Sequence, residues 1–178
     1  MFTLPTPTQF SAFKAGIGLL TLLVGACVQA ATYQPSAAEQ ARADQAYRAF
    51  STAMRDADYE RAYQQLHARL KKAQSLTEWR AGEERFARAA GTLVGFFNPR
   101  ASWHFDPPNA LEPGFYVEYR HQCRYARLDP CYEILVLFSP MGEHFSLIRH
   151  SRHYINTQTG KRSGEFIHIP GQHSRIRQ

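Results

Sequence analysis

Between Ser36 and Gly91 the apolar positions recur three and four residues apart, and beyond Gly91 they recur every second residue. This change of period divides the chain into a helical part and a strand part. Ser36-Ala-Ala-Glu39 is a capping box, in which serine and glutamate satisfy each other's orphan amides at a helix start. The helix it opens is predicted to run to about Arg55, with Ala43, Tyr47, Phe50 and Met54 as its buried stripe. Asp56-Ala-Asp58 breaks it, and Asp58 is placed to cap a second helix carrying Tyr59, Ala62, Tyr63 and Leu66. A second capping box, Ser75 to Glu78, starts a third helix through Trp79 and Phe86, which Gly91 ends in a left-handed conformation.

The strand part starts at Ala101–Phe105, and Pro107, Pro108, Pro113 and Gly114 then mark a long turn. From Phe115 to Tyr125 the alternation is regular. Phe115, Val117, Tyr119, His121, Cys123 and Tyr125 share one face, and Tyr116, Glu118, Arg120, Gln122 and Arg124 share the other. A turn at Arg127–Pro130 leads to a central strand, Cys131–Phe138, apolar on both faces. Ser139–Gly142 turns the chain again, and His144–Ile155 returns. Phe166–Ile169 is a candidate edge strand. Helices followed by an antiparallel meander predict a single α+β domain over residues 37–156. The N-terminal helices would pack on one face of a sheet of about four strands. Residues 157–178 are polar and basic and read as a flexible tail.

Residues 1–30 read as an address. Lys14 precedes an uncharged run over residues 15–26. A bilayer-spanning helix needs ~20 apolar residues, so this run suits the core of a signal peptide. Val28-Gln29-Ala30 offers a cleavage site before Ala31, and residues 31–36 form a tether. Val24-Gly-Ala-Cys27 also resembles a lipobox, which would lipidate Cys27; alternatively, Cys27 is a small apolar residue of a discarded peptide. The expected location is the periplasm. Lipidation would anchor the protein to the outer membrane, because Val28 gives no inner-membrane retention aspartate. Removing the leader lowers the formal charge from +6 to +5. Export argues against nucleic acid as the partner of this basic chain. Of three cysteines, Cys123 and Cys131 flank a hairpin loop and are expected to form a disulfide in an oxidising compartment.

Several of these residues resemble a known family. They are the Asp56-Ala-Asp-Tyr59 break, Trp79 ahead of Arg88-Ala-Ala-Gly91, Arg100, the Tyr116–Tyr125 strand, Glu133 and the closing Tyr154-Ile155. Over roughly residues 40–155 the chain is similar to domain of unknown function 4019, a family of small exported bacterial domains. It departs from that pattern in having Phe145 where a tryptophan is expected and in lacking a glycine near the end of the last strand. The resemblance implies an envelope location and a curved sheet, similar to the nuclear-transport-factor-like cone. It carries over no catalytic residues.

No His-Glu-x-x-His, Gly-x-Ser-x-Gly or phosphate-binding loop occurs. His150 and His153 stand three apart in a strand and so point to opposite faces, which argues against a metal site. No cofactor and no metal are expected. An acid–base pair is conceivable at His121, or at His104-Phe-Asp106 near a sheet end. The more distinctive set is cationic and aromatic: Tyr116, Arg120 and Arg124 on one strand face, with Arg149 and Arg152 in the closing strand. Such residues are enriched at protein interfaces. The expectation is a non-enzymatic envelope protein that binds a protein partner, of inhibitor or immunity type. The alternatives are a cone-pocket ligand binder or acid–base enzyme using His121, and an accessory protein of the cell wall or lipid surface.

Overall fold

The computed structural model describes residues 33–160 and 162–166. The leader, Cys27 and residues 167–178, with part of the predicted Phe166–Ile169 strand, lie outside the described residues. Four helices come first: α1 (Ala37–Arg55), α2 (Tyr59–Gln64), α3 (Ala68–Ala73) and α4 (Leu76–Ala90). Five strands follow: β1 (Leu93–Phe105), β2 (Phe115–Tyr125), β3 (Leu128–Ser139), β4 (Ser146–Asn156) and β5 (Arg162–Phe166). The sheet runs in the order β1-β2-β3-β4-β5, with every neighbouring pair antiparallel. The α+β architecture is therefore as the sequence predicts.

Both capping boxes form. Ser36 Oγ accepts from the Glu39 amide while Glu39 accepts from the Ser36 amide, and Ser75 and Glu78 repeat the arrangement on α4. Asp58 caps α2 by accepting from the Arg61 amide at 3.1 Å. The short α3, which the sequence pattern does not suggest, buries Leu70. The tether is less detached than expected. The Tyr33 hydroxyl donates to the Glu39 carboxylate at 2.9 Å, and its ring meets Phe115 at 5.3 Å.

Three boundaries in the strand part differ from expectation, each because cross-strand pairing overrides local signals. β1 starts at Leu93, paired with Tyr125, rather than at Ala101. Pro99 sits in a register shift between Phe97 and Arg100 on an edge strand, where proline is tolerated. β3 starts at Leu128, so Ala126 and Arg127 alone connect it to β2. The turn expected at Arg127–Pro130 is thus mostly strand. β5 covers Arg162–Phe166 and pairs with Ser151–Ile155, so the domain extends past residue 156 and this part of the expected tail belongs to the sheet.

The main core lies between α1, α2, α4 and the inner sheet face, around Phe50, Trp79, Val117, Leu135 and Leu147. A second, smaller core gathers Phe86, Ala90, Tyr125, Leu128 and the Cys123 and Cys131 side chains below the end of α4. The two cysteine sulfurs stand at disulfide-bonding distance across β2 and β3, closing a short loop. Replacing both by alanine is expected to lower stability by ~2–3 kcal/mol. Denaturant unfolding of the oxidised protein against the double variant checks this, with equal midpoints as the contrary result.

Candidate functional site

The inner face of the sheet carries a row of polar side chains inside the apolar core. Antiparallel register sets His121 of β2 beside Glu133 of β3, and Glu133 beside Arg152 of β4. The adjacent row is Tyr119, Leu135 and His150, so Glu133 also reaches His150 diagonally. Glu133, His150 and His121 are at most 2% exposed and Arg152 is 4% exposed.

Both Glu133 oxygens are occupied. Oε1 accepts from Arg152 Nε at 3.1 Å and from the Tyr125 hydroxyl at 3.2 Å. Oε2 accepts from His150 Nε2 at 3.0 Å, and His121 Nε2 stands 3.5 Å from the same oxygen. Because a carboxylate only accepts, His150 Nε2 must carry its proton. The helices close the network from above. Glu83 of α4 accepts from Arg152 Nη2 at 2.7 Å, and the Tyr47 hydroxyl of α1 meets His121 Nδ1 at 3.0 Å. The Arg152 guanidinium also lies over the Phe86 ring, 4.1 Å from its centre. Burial by itself would raise the Glu133 pKa. The positive charge of Arg152, with the His150 and His121 imidazoles beside the carboxylate, outweighs it and holds the carboxyl well below its ordinary range. Burial and then the neighbouring Glu133 charge push the Tyr125 phenol up.

Two histidines and a carboxylate are the donor types of a facial metal set. Arg152 supplies the positive charge here instead, and no group of three donors is spaced to hold an ion among the described residues. His121, proposed from sequence as an acid–base residue, is packed between Tyr47 and Phe96 with no exposed side-chain surface. A cleft of about 590 Å³ reaches the outer members of the network, Glu83, Tyr125 and Arg152. His104 lines a separate, smaller cavity on the other sheet face, and the Asp106 carboxylate accepts from the Gly114 amide.

The face opposite the helices divides the five residues expected to form a binding surface. Arg120 and Arg124 are exposed on it, and Arg149 is part-exposed, bonded to Glu118 at 3.0 Å. Tyr116 is covered: its ring packs on Phe138, and its hydroxyl donates to the Glu112 carbonyl at 2.7 Å. Arg152 lies on the inner face. Arg149 and Arg152 are three residues apart, so in a strand they cannot share a face. The structure instead adds Phe97, 37% exposed with Arg124 over its ring at 5.0 Å, and Tyr132, 48% exposed. Arg100 stands directly across from Arg120.

Comparison with family models, curated proteins and solved structures returns no match to this chain.

A depressed Glu133 pKa fixes the sign of its pH dependence. Its stabilisation is fully present above the ordinary carboxyl value of 4.5 and is lost as pH falls toward the folded value. Glu133→Gln is therefore expected to cost ~3–5 kcal/mol at pH 7, because Arg152 is left without one of its buried partners. The gap from the wild type should shrink as pH drops below 4.5. Urea unfolding of both proteins across that range measures it, and a gap independent of pH would refute the assignment.

Proposed function

We propose that this protein is a non-enzymatic binding module of the bacterial envelope. In this reading it engages an acidic protein partner through its outer sheet face, as an inhibitor or immunity protein does. The observation that carries the proposal is the composition of that face. Arg100, Arg120 and Arg124 are exposed beside exposed Phe97 and Tyr132. Like charges directly opposite on neighbouring strands are destabilising, and Arg100 faces Arg120. Glu118 relieves part of this through Arg120 and Arg149. An anionic partner would relieve the rest, and arginine with aromatic side chains is the composition of interface hot spots.

The leader over residues 1–30 and the Cys123–Cys131 pair support an exported setting. The lipobox at Cys27 would add an outer-membrane anchor. The enclosed Glu133 network supports a scaffold role for the inner face, because its carboxylate oxygens are already taken by the protein's own donors.

The test is affinity capture from envelope extract with the tagged full chain and with its Arg120→Glu/Arg124→Glu variant, after matched melting curves. A stoichiometric acidic polypeptide retained by the wild type and weakened at least ~10-fold by the variant is expected, since hot-spot truncations cost that much or more. Identical retention by both proteins overturns the assignment of this face.

A further inference from the structure

The cleft on the helix side has a composition that the partner-binding reading does not use. It opens between the end of α1, the start of α2, the second half of α4 and the β2–β3 turn, with a volume of about 590 Å³. That lies within the ~300–1,000 Å³ range of small-molecule sites. Met54, Phe86 and Leu93 give it an apolar wall, and Tyr59 adds a half-buried ring. Its charged lining is one-sided: Arg55, Arg88, Arg127 and Arg152 against Glu83.

These four cations are not equivalent. Arg55 pairs with Asp56 at 3.0 Å and Arg88 is 4.0 Å from Glu84, both at the surface. Arg152 is held by Glu133 and Glu83, and its Nη1 takes no part in either of those bonds. Arg127 has no carboxylate partner among the described residues; it donates to the Arg88 carbonyl at 3.0 Å. Its position is built by the fold. The Ala126 amide donates to the Thr92 carbonyl at 3.0 Å and the Arg127 amide to the Ala90 carbonyl at 2.9 Å, which clips the β2–β3 turn to the end of α4. Gly91, at φ +80°, permits this approach, because a Cβ there would meet Ala126 Cβ at 3.0 Å and Arg127 Cγ at 3.5 Å. A fixed, uncompensated guanidinium thus stands at the mouth of a cleft whose wall is apolar.

We infer that this cleft binds a small amphiphilic anion, its carboxylate or phosphate head on Arg127 and its apolar body against Met54, Phe86 and Leu93. Guanidinium forks match both head groups, and the apolar wall excludes a fully hydrated ion as the natural ligand. The site is independent of the outer sheet face, so either can fail without the other.

Calorimetric titration of the full chain with octanoate, octyl phosphate and octyltrimethylammonium tests the inference. Binding of at least one anion with Kd at or below ~1 mM is expected, and no comparable binding of the cation. Binding of octanoate alone identifies a carboxylate ligand, and binding of octyl phosphate alone a phosphate head group. Arg127→Glu should weaken the anion at least tenfold and Arg127→Ala by less, while Lys72→Glu on α3, outside the cleft, leaves it unchanged. Arg127 is exposed, so both variants are expected to melt with the wild type. Absence of anion binding, equal affinity for the cation, or indifference to Arg127→Glu overturns the inference.

Discussion

The ion pair between Glu133 and Arg152 is almost wholly withdrawn from water, and the surrounding structure is arranged around that fact. Removing a carboxylate and a guanidinium from water costs several kcal/mol per ion, and the cost is recovered only when geometry and the remaining hydrogen bonds are complete. Here they come close to complete. Glu133 is served by Arg152, Tyr125 and His150, and Arg152 divides itself between Glu133 and Glu83 while stacking on Phe86. The partners come from three strands and α4, and Tyr47 of α1 joins through His121. An apolar core tolerates sliding of a helix over a sheet better than this network does. The network therefore specifies how α1 and α4 sit on the strands.

That commitment separates the two faces of one sheet. The inner face spends its polar groups on internal bonds, whereas the outer face keeps arginines and aromatic rings in contact with solvent. The loop over residues 106–114 covers one end of the outer face by burying Tyr116, and leaves Phe97, Arg120, Arg124 and Tyr132 uncovered at the other. The short β2–β3 turn does comparable work on the helix side. By docking on the α4 end it closes the small core and presents Arg127 beside the cleft. One hairpin, carrying the Cys123–Cys131 pair, thus supports both proposed surfaces.

Much of the helical part was legible because its signals are local. Capping boxes at Ser36 and Ser75 and the Asp58 cap act over three or four residues and form as read. Gly91 ends α4 with a positive φ of 80° but an extended ψ of −168°, and not in the left-handed helical conformation expected. Alternation along β2 likewise reported which residues face the core, from Val117 to Tyr125. Signals failed where pairing partners decide. A turn was expected at Pro130 and the first strand only from Ala101, yet β3 runs through Pro130 and β1 starts at Leu93 because neighbouring strands supply the ladder. Glu133 was visible as one charge in an apolar run, but nothing local names His121, His150, Arg152 and Glu83 as its partners.

The sequence by itself determined the α+β order, the starts of α1, α2 and α4, the face on which each β2 side chain lies and the cysteines that meet. These follow from backbone hydrogen bonding and periodicity over a few residues. Only the tertiary structure decided that Arg152 is a buried counter-ion, that Tyr116 is covered and that Arg127 stands at a cleft with no carboxylate partner among the described residues. Those outcomes depend on register between strands and on the docking of helices and turns. Both are set by contacts between residues far apart in the chain, as where Arg42 donates to the Gly142 carbonyl 100 positions away.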